Sequence, residues 1–206
     1  MIYTYKILSI LLDYPSSQTK NVLDECIGYI NKENILDKRS KKNLQQFIDA
    51  FKEKDILDWQ ESYSSLFDCT PVSSLYIFDH VYGDSKMRGM AMVDLKQLYS
   101  SEGMDINSSE LPDYLPLYLE FLSNLKDINQ VYNLTGEIEH IISKIGKSLS
   151  SLNSEYGYLF NILSRLASKG ECEKISLEEK QKIENFRACE SCYFTSEEYY
   201  QSKNMK

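Results

Sequence analysis

Apolar residues return at steps of three and four along most of the chain, and little interrupts them. The 206 residues include only 8 glycines and 4 prolines. A fold of many strands needs frequent tight turns, so this scarcity favours helices. Ile7, Leu8, Leu11 and Leu12 form a first stripe, closed at Tyr14-Pro15, because a proline disfavours helix at the residue before it. Ser16 and Ser17 are caps for a second helix carrying Val22, Leu23, Cys26, Ile27 and Ile30. A third starts near Ser40 with Leu44, Phe47, Ile48 and Phe51, and a fourth bears Ile56, Trp59, Tyr63, Leu66 and Phe67.

Ser74 to Phe78 is the one stretch that resembles a strand. A lone strand has nothing to pair with, so a short helix is expected there. Asp84 or Ser85 should cap a helix bearing Met87, Ala91, Leu95 and Leu98, ended by Gly103 at C′. Asp113 should cap the next helix, leaving Pro116 in the first turn, where its missing N–H costs nothing. Two further helices are expected over Gly136–Leu152 and Tyr156–Ala167. The fold class is therefore all-α: a single-domain helical bundle over residues 1–168, with 169–206 a charged tail, partly helical or disordered, and Glu178–Phe186 its candidate helix.

The formal net charge is -8, which disfavours general binding to nucleic acid or to an anionic membrane surface. No run approaches the ~18 apolar residues of a membrane span. The first fifteen residues have only Lys6 as a positive charge and no small-residue cleavage site, so a signal peptide is not expected and the cytoplasm is. Five cysteines at irregular spacing do not make a disulfide framework.

Catalytic motifs are absent. The chain has no phosphate-binding G-x-x-x-x-G-K-[ST], no dinucleotide-type glycine fingerprint and no G-x-S-x-G. Cys189-Glu-Ser-Cys192 is a lone C-x-x-C without the second ligand pair that zinc needs. One enzymatic alternative is a metal-dependent helical hydrolase using Asp79, His80, Asp84 and Asp94. A chain with two histidines is poorly supplied for it. No catalytic role, cofactor or metal is expected.

What remains unusual is the mixture between Asp68 and Tyr118. Asp94 falls on or beside the expected buried stripe, and Arg88 lies four residues after Asp84, at ion-pair spacing. Charges near a core need partners. A buried network joining Asp94 or Asp84 to His80 or Arg88 is one reading, and direct ligand contact is the other. Met87, Met90, Met92 and Met104 lie in the same region. Such soft side chains either fill a core or line a groove for an apolar helical peptide.

Phe67-Asp68-Cys69-Thr70 followed by Ser74-Leu75-Tyr76-Ile77-Phe78-Asp79-His80-Val81-Tyr82-Gly83-Asp84-Ser85 resembles the core signature of the respiratory nitrate reductase assembly chaperones, the NarJ or delta-subunit family. The likeness continues through Arg88-Gly89, Ala91 to Leu95, Tyr99 and Gly103, and closes with Glu110 to Leu122. Leu11-Leu12 with Tyr14-Pro15 also fits. Asp79, Tyr82 and Lys86 stand where the family tends to have Glu, His and Arg.

The resemblance implies an all-helical redox-enzyme maturation chaperone. It would bind the N-terminal segment of the apo nitrate reductase alpha subunit, keeping it competent for molybdenum cofactor and iron–sulfur insertion before membrane docking. Molybdenum cofactor delivery proteins are further implied partners. In the wider group a Glu-Pro-x-Asp-His type motif contributes to the peptide site. Glu110-Leu111-Pro112-Asp113-Tyr114 matches it incompletely, with Leu111 and Tyr114 replacing Pro and His. Tyr63, Leu66 and Phe67 resemble group positions lining the same groove. The expected groove is made by Leu66, Phe67, Leu75, Tyr76, Met92 and Tyr114, with Asp94, Glu110 and Asp113 steering basic client residues. Tyr63, His80, Arg88 and Pro112 complete the candidate set.

Overall fold

Ser16 accepts the backbone N–H of Thr19, Asp37 that of Ser40, and Asp55 that of Leu57. Three polar side chains thus satisfy otherwise orphaned donors and start three helices. In the computed structural model, which describes residues 1–83, 85–106 and 110–170, the helices are α1 (Tyr3–Leu12), α2 (Ser17–Glu33), α3 (Lys38–Lys52), α4 (Ile56–Phe67), α5 (Met87–Ser101), α6 (Leu115–Asn124), α7 (Ile128–Glu137), α8 (Glu139–Ser151) and α9 (Tyr156–Ala167). Short 3-10 turns at Pro71–Ser73 and Ile77–His80 lie between α4 and α5. Among the described residues the fold is all-α.

α1, α6 and α9 are buried on most of their surfaces, so their sequences are apolar almost all round. α1 packs on α6, while α9 packs against α3, α7 and α8. The outer helices α2, α3 and α8 keep one apolar stripe each, as with Leu44, Phe47, Ile48 and Phe51 of α3. Two buried polar links cross the core: Trp59 Nε1 donates to Tyr156 Oη at 2.8 Å, and Tyr5 Oη lies 2.9 Å from Thr135 Oγ1. Each lets a large aromatic ring be buried without an unpaired polar atom.

Several expectations need correction. The stretch from Ser74 to Phe78 is helical only at its end, where Ile77 and Phe78 open the second 3-10 turn. Tyr76 forms an isolated antiparallel bridge with Tyr114, flanked by the two 3-10 turns. The bridge partner lies 38 residues later, where no strand pattern announces it. Asp113 does not cap α6. Its carboxylate reaches back to the Phe78 N–H at 3.0 Å. The helix expected over Gly136–Leu152 divides at Ile138, and α7, which precedes the division, had no expected counterpart.

α5 is closed by Gly103 at C′ as expected, but its N-cap position is Lys86 rather than Asp84 or Ser85. Ser85 Oγ accepts the Met87 N–H at 3.3 Å. Gly103, at φ 78°, sits in a Schellman turn in which Met104 N–H reaches Tyr99 O and Gly103 N–H reaches Ser100 O. Its packing differs from expectation: Tyr99 is its only buried residue, and Met87, Met90, Val93 and Asp94 are exposed. Asp94 therefore does not lie on a buried stripe. No described helix is long and apolar enough to cross a membrane. The expected tail is outside the described residues from Glu171 onward, together with its candidate helix and both C-x-x-C cysteines.

Candidate functional site

The Tyr76–Tyr114 bridge places the loop after α4 beside the start of α6. Ile77 N–H donates to Asp113 O at 2.9 Å and Leu115 N–H to Leu75 O at 2.8 Å. A cleft of about 220 Å³ opens against this seam, lined by Tyr14, Tyr63, Phe67, Asp68, Leu75, Tyr76, Glu110 and Tyr114. It gathers Tyr63, Phe67, Leu75, Tyr76, Glu110 and Tyr114 from the candidate set. Tyr14 and Asp68 join them. Both stand in the signature, but nothing in their local pattern marks them as lining, because the tertiary fold brings them there.

The floor is rigid. Tyr63, Phe67 and Leu75 are buried, and Tyr63 and Phe67 continue into the aromatic core through Tyr156. Tyr63 and Tyr114 hydroxyls are 2.9 Å apart and bridge the Leu12 carbonyl and the Asp13 carboxylate, at 2.9 and 3.1 Å. Tyr76 Oη donates to Glu110 at 2.7 Å. Burial pushes the Tyr63 and Tyr114 phenols far above their ordinary range. Burial, then the bond to Glu110, pushes Tyr76 up to about 12. All three stay protonated at neutral pH, so the cleft's negative charge belongs to Asp13, Asp68 and Glu110. Aromatic faces beneath exposed carboxylates suit an apolar side chain next to a basic one. The volume is below the ~300–1,000 Å³ of small-molecule pockets, so it suits one or two side chains of a peptide.

Behind the seam lies a separate polar cluster. Arg88 Nη1 is 2.5 Å from Asp79 Oδ1, and Arg88 Nη2 is 3.7 Å from Asp113 Oδ2. Ser74 Oγ donates to Asp79 at 2.7 Å, and His80 Nε2 is 2.8 Å from Ser74 O. The polar network expected in this region therefore exists with different members. Arg88 and His80 belong to it, Asp94 does not, and Asp84 is outside the described residues. Asp113 is 0% exposed, so its side chain does not reach solvent at the cleft. Among the described residues its Oδ1 and the Arg88 Nε have no hydrogen-bond partner, as in a pair held short of bidentate contact. Pro112 is half-buried, and its carbonyl accepts Tyr99 Oη at 2.8 Å, tying α5 to the segment before Tyr114. Leu66 is half-buried with its carbonyl bonded by Ser73 Oγ, and neither Leu66 nor Met92 lines the cleft.

The metal-hydrolase alternative needs Asp79, His80, Asp84 and Asp94 to converge. Asp79 is engaged by Arg88 and Ser74, His80 by the Ser74 carbonyl, and Asp94 points from the exposed side of α5. No cluster of three or more potential ligands forms among the described residues.

The polar cluster has a pH signature. Burial raises the Asp113 carboxyl pKa, opposed by the Phe78 N–H and Arg88. A carboxyl raised on folding contributes stability at low pH, and that contribution is lost as pH rises through its folded value. Burial lowers the His80 pKa. Its contribution is present above the ordinary ~6.5 and is lost as pH falls. Thermal unfolding across pH 4–8 should therefore show Asp113→Asn flattening the decline above pH ~4, and His80→Gln reducing the loss below ~6.5. Unaltered slopes in both variants would show that neither group titrates differently on folding.

The nine described helices share their fold with a solved structure from Archaeoglobus fulgidus, named a putative redox enzyme maturation protein. The two superpose with a TM-score of 0.57 at 20% identity, covering 81% of this chain and 93% of that one. The family model for the nitrate reductase delta subunit matches residues 34–164, and the chain belongs to that family. The nitrate reductase molybdenum cofactor assembly chaperone NarJ of Escherichia coli is 39% identical over 162 residues, 79% of this chain and 68% of that protein. A Bacillus subtilis protein named a probable nitrate reductase molybdenum cofactor assembly chaperone is 26% identical over 160 residues, 78% and 85% of the respective chains.

Proposed function

We propose that this protein is an assembly chaperone for a nitrate reductase, and that its cleft holds the N-terminal segment of the apo alpha subunit. The reading rests on one geometric observation: an aromatic cleft rimmed by Asp13, Asp68 and Glu110, built by the part of the chain that carries the family signature. Family membership and the role for which the Escherichia coli relative is named support the chaperone class. The client segment enters as an amphipathic helix whose apolar anchor fills the cleft. Adjacent basic residues meet the three carboxylates, which speed encounter and fix register more than they add affinity. Ordering the peptide costs about 2–5 kcal/mol, so affinity stays moderate and release needs no nucleotide. Holding the segment back keeps the apoenzyme open for molybdenum cofactor and iron–sulfur insertion.

Co-expression with a tagged alpha subunit tests this. The chaperone should co-purify with apo alpha subunit made in cells lacking molybdenum cofactor, and be absent from the mature membrane-bound enzyme. Equal amounts in both preparations would instead make it an enzyme subunit or adaptor.

A further inference from the structure

The wall of the cleft has a second side. Asp68, Leu75 and Tyr76 face the cleft, while Thr70 and Val72 of the same loop border an open trough of about 720 Å³. Its other border is one face of α8: Glu139, His140, Ser143, Lys144, Lys147, Ser148 and Ser151, ending at Leu152.

Three features set this trough apart. Its lining is net positive on a chain of net charge -8, with two lysines against the single carboxylate of Glu139. Neither Lys144 nor Lys147 is in an ion pair with a described carboxylate. Apolar side chains stand at its margins, Val72 at 49% and Leu152 at 55% exposure. The thirteen residues of α8, Glu139–Ser151, give it a length of about 20 Å. A compact anion would use a convergent nest of donors; a long basic strip with apolar margins matches an extended ligand that alternates charge and grease.

We propose that this trough is a second docking site, which takes an acidic amphipathic segment of a protein partner. Lys144 and Lys147 pair with its carboxylates, one helical turn apart, while Val72 and Leu152 cover its apolar residues. The assignment stands apart from the cleft reading, because the chemistry is of opposite sign and the lining residues are different. It gives the chaperone two adjacent surfaces, one selecting basic and the other acidic sequence.

The test uses the full chain and a fluorescein-labelled peptide of fourteen residues with Leu and Glu in helical register. Binding should weaken at least tenfold in Lys144→Glu/Lys147→Glu, and weaken with added salt. It should be unchanged in Asp68→Asn/Glu110→Gln, whose substitutions lie in the cleft. Both lysines are exposed, so the double variant should keep the wild-type unfolding midpoint. Equal binding by wild type and the lysine variant would overturn the proposal, as would equal binding of a peptide with Gln for Glu. Displacement by inorganic pyrophosphate at concentrations equal to the peptide would make the trough a compact-anion site. Concentration-dependent dimerisation abolished by the same reversal would assign it to a second copy. Either result refutes the partner segment.

Discussion

Phe47→Ala should lower the unfolding free energy by about 3–5 kcal/mol, the range for deleting a fully buried phenylalanine side chain. Phe47 is 0% exposed, and its ring lies 4.7 Å from that of Phe51, 5.2 Å from Tyr156 and 6.4 Å from Trp59. The neighbours cannot easily collapse into the space. Phe51 stacks on Trp59, and Tyr156 is pinned by the Trp59 Nε1 bond. Aromatic pairs add about 0.5–1.5 kcal/mol beyond their buried area, which places the cost toward the upper end. Trp59 is the chain's single tryptophan, so urea unfolding followed by its fluorescence reports directly from the altered cluster. A change below about 1 kcal/mol would mean that α3, α4 and α9 are not joined through these rings. The cluster also carries the cleft: Tyr63 and Phe67 both pack on Tyr156, so loosening it should weaken client binding in proportion to the lost order.

The second large effect belongs to binding without folding. Tyr14→Ala should reduce affinity for the alpha-subunit N-terminal peptide about tenfold to thirtyfold, equivalent to about 1.4–2 kcal/mol, as expected for an aromatic anchor. Tyr14 is 48% exposed and its ring meets Tyr63 edge-on at 5.5 Å, so removing it opens one side of the cleft without excavating the core. Stability should change by less than about 1 kcal/mol, as for most substitutions at exposed positions. Glu110→Gln, in contrast, keeps the Tyr76 hydroxyl paired and removes one rim charge. It should cost only a few-fold in affinity, with most of the loss in association rate and least at high salt. Calorimetry gives the affinities and stopped-flow mixing the rates. An unchanged affinity for Tyr14→Ala would remove the anchor from the proposal.

Much of this architecture is legible in the residues. The stripes of α1 to α4 and α9 fall on the helices observed, and Ser16 caps α2 as its side chain suggests. Caps and periodicity are local physics, acting within a few residues. The misreadings concern contacts across the chain. Asp113 looks like a cap because it stands two residues before Leu115, but the fold offers it the Phe78 N–H and the Arg88 guanidinium. Ser74 to Phe78 has a β-like composition because Tyr76 does pair, with a partner that periodicity cannot find. α5 shows the opposite failure: Met87, Met90 and Val93 are apolar at helical spacing yet exposed, so spacing alone says nothing of what covers them.

The cleft follows the same division. Tyr63, Tyr76, Tyr114 and Glu110 belong to the expected set, whereas Tyr14, Asp13 and Asp68 become lining or rim residues only when α1 meets α4 and α6. Asp113 moves in the other direction. It stands in the expected peptide-site motif, yet it acts from within, bonding the Phe78 N–H and facing Arg88 so that the Tyr76–Tyr114 seam holds its shape. The signature therefore records two tasks: building the seam and presenting the surface.

Hydrogen–deuterium exchange of the full chain, with and without the alpha-subunit N-terminal peptide, tests the central claim most directly. Peptide binding at the cleft predicts slowed exchange in residues 63–69, 75–78 and 110–116, with α8 unchanged. Protection confined to α8 or α5, or no protection at saturating peptide, would contradict it.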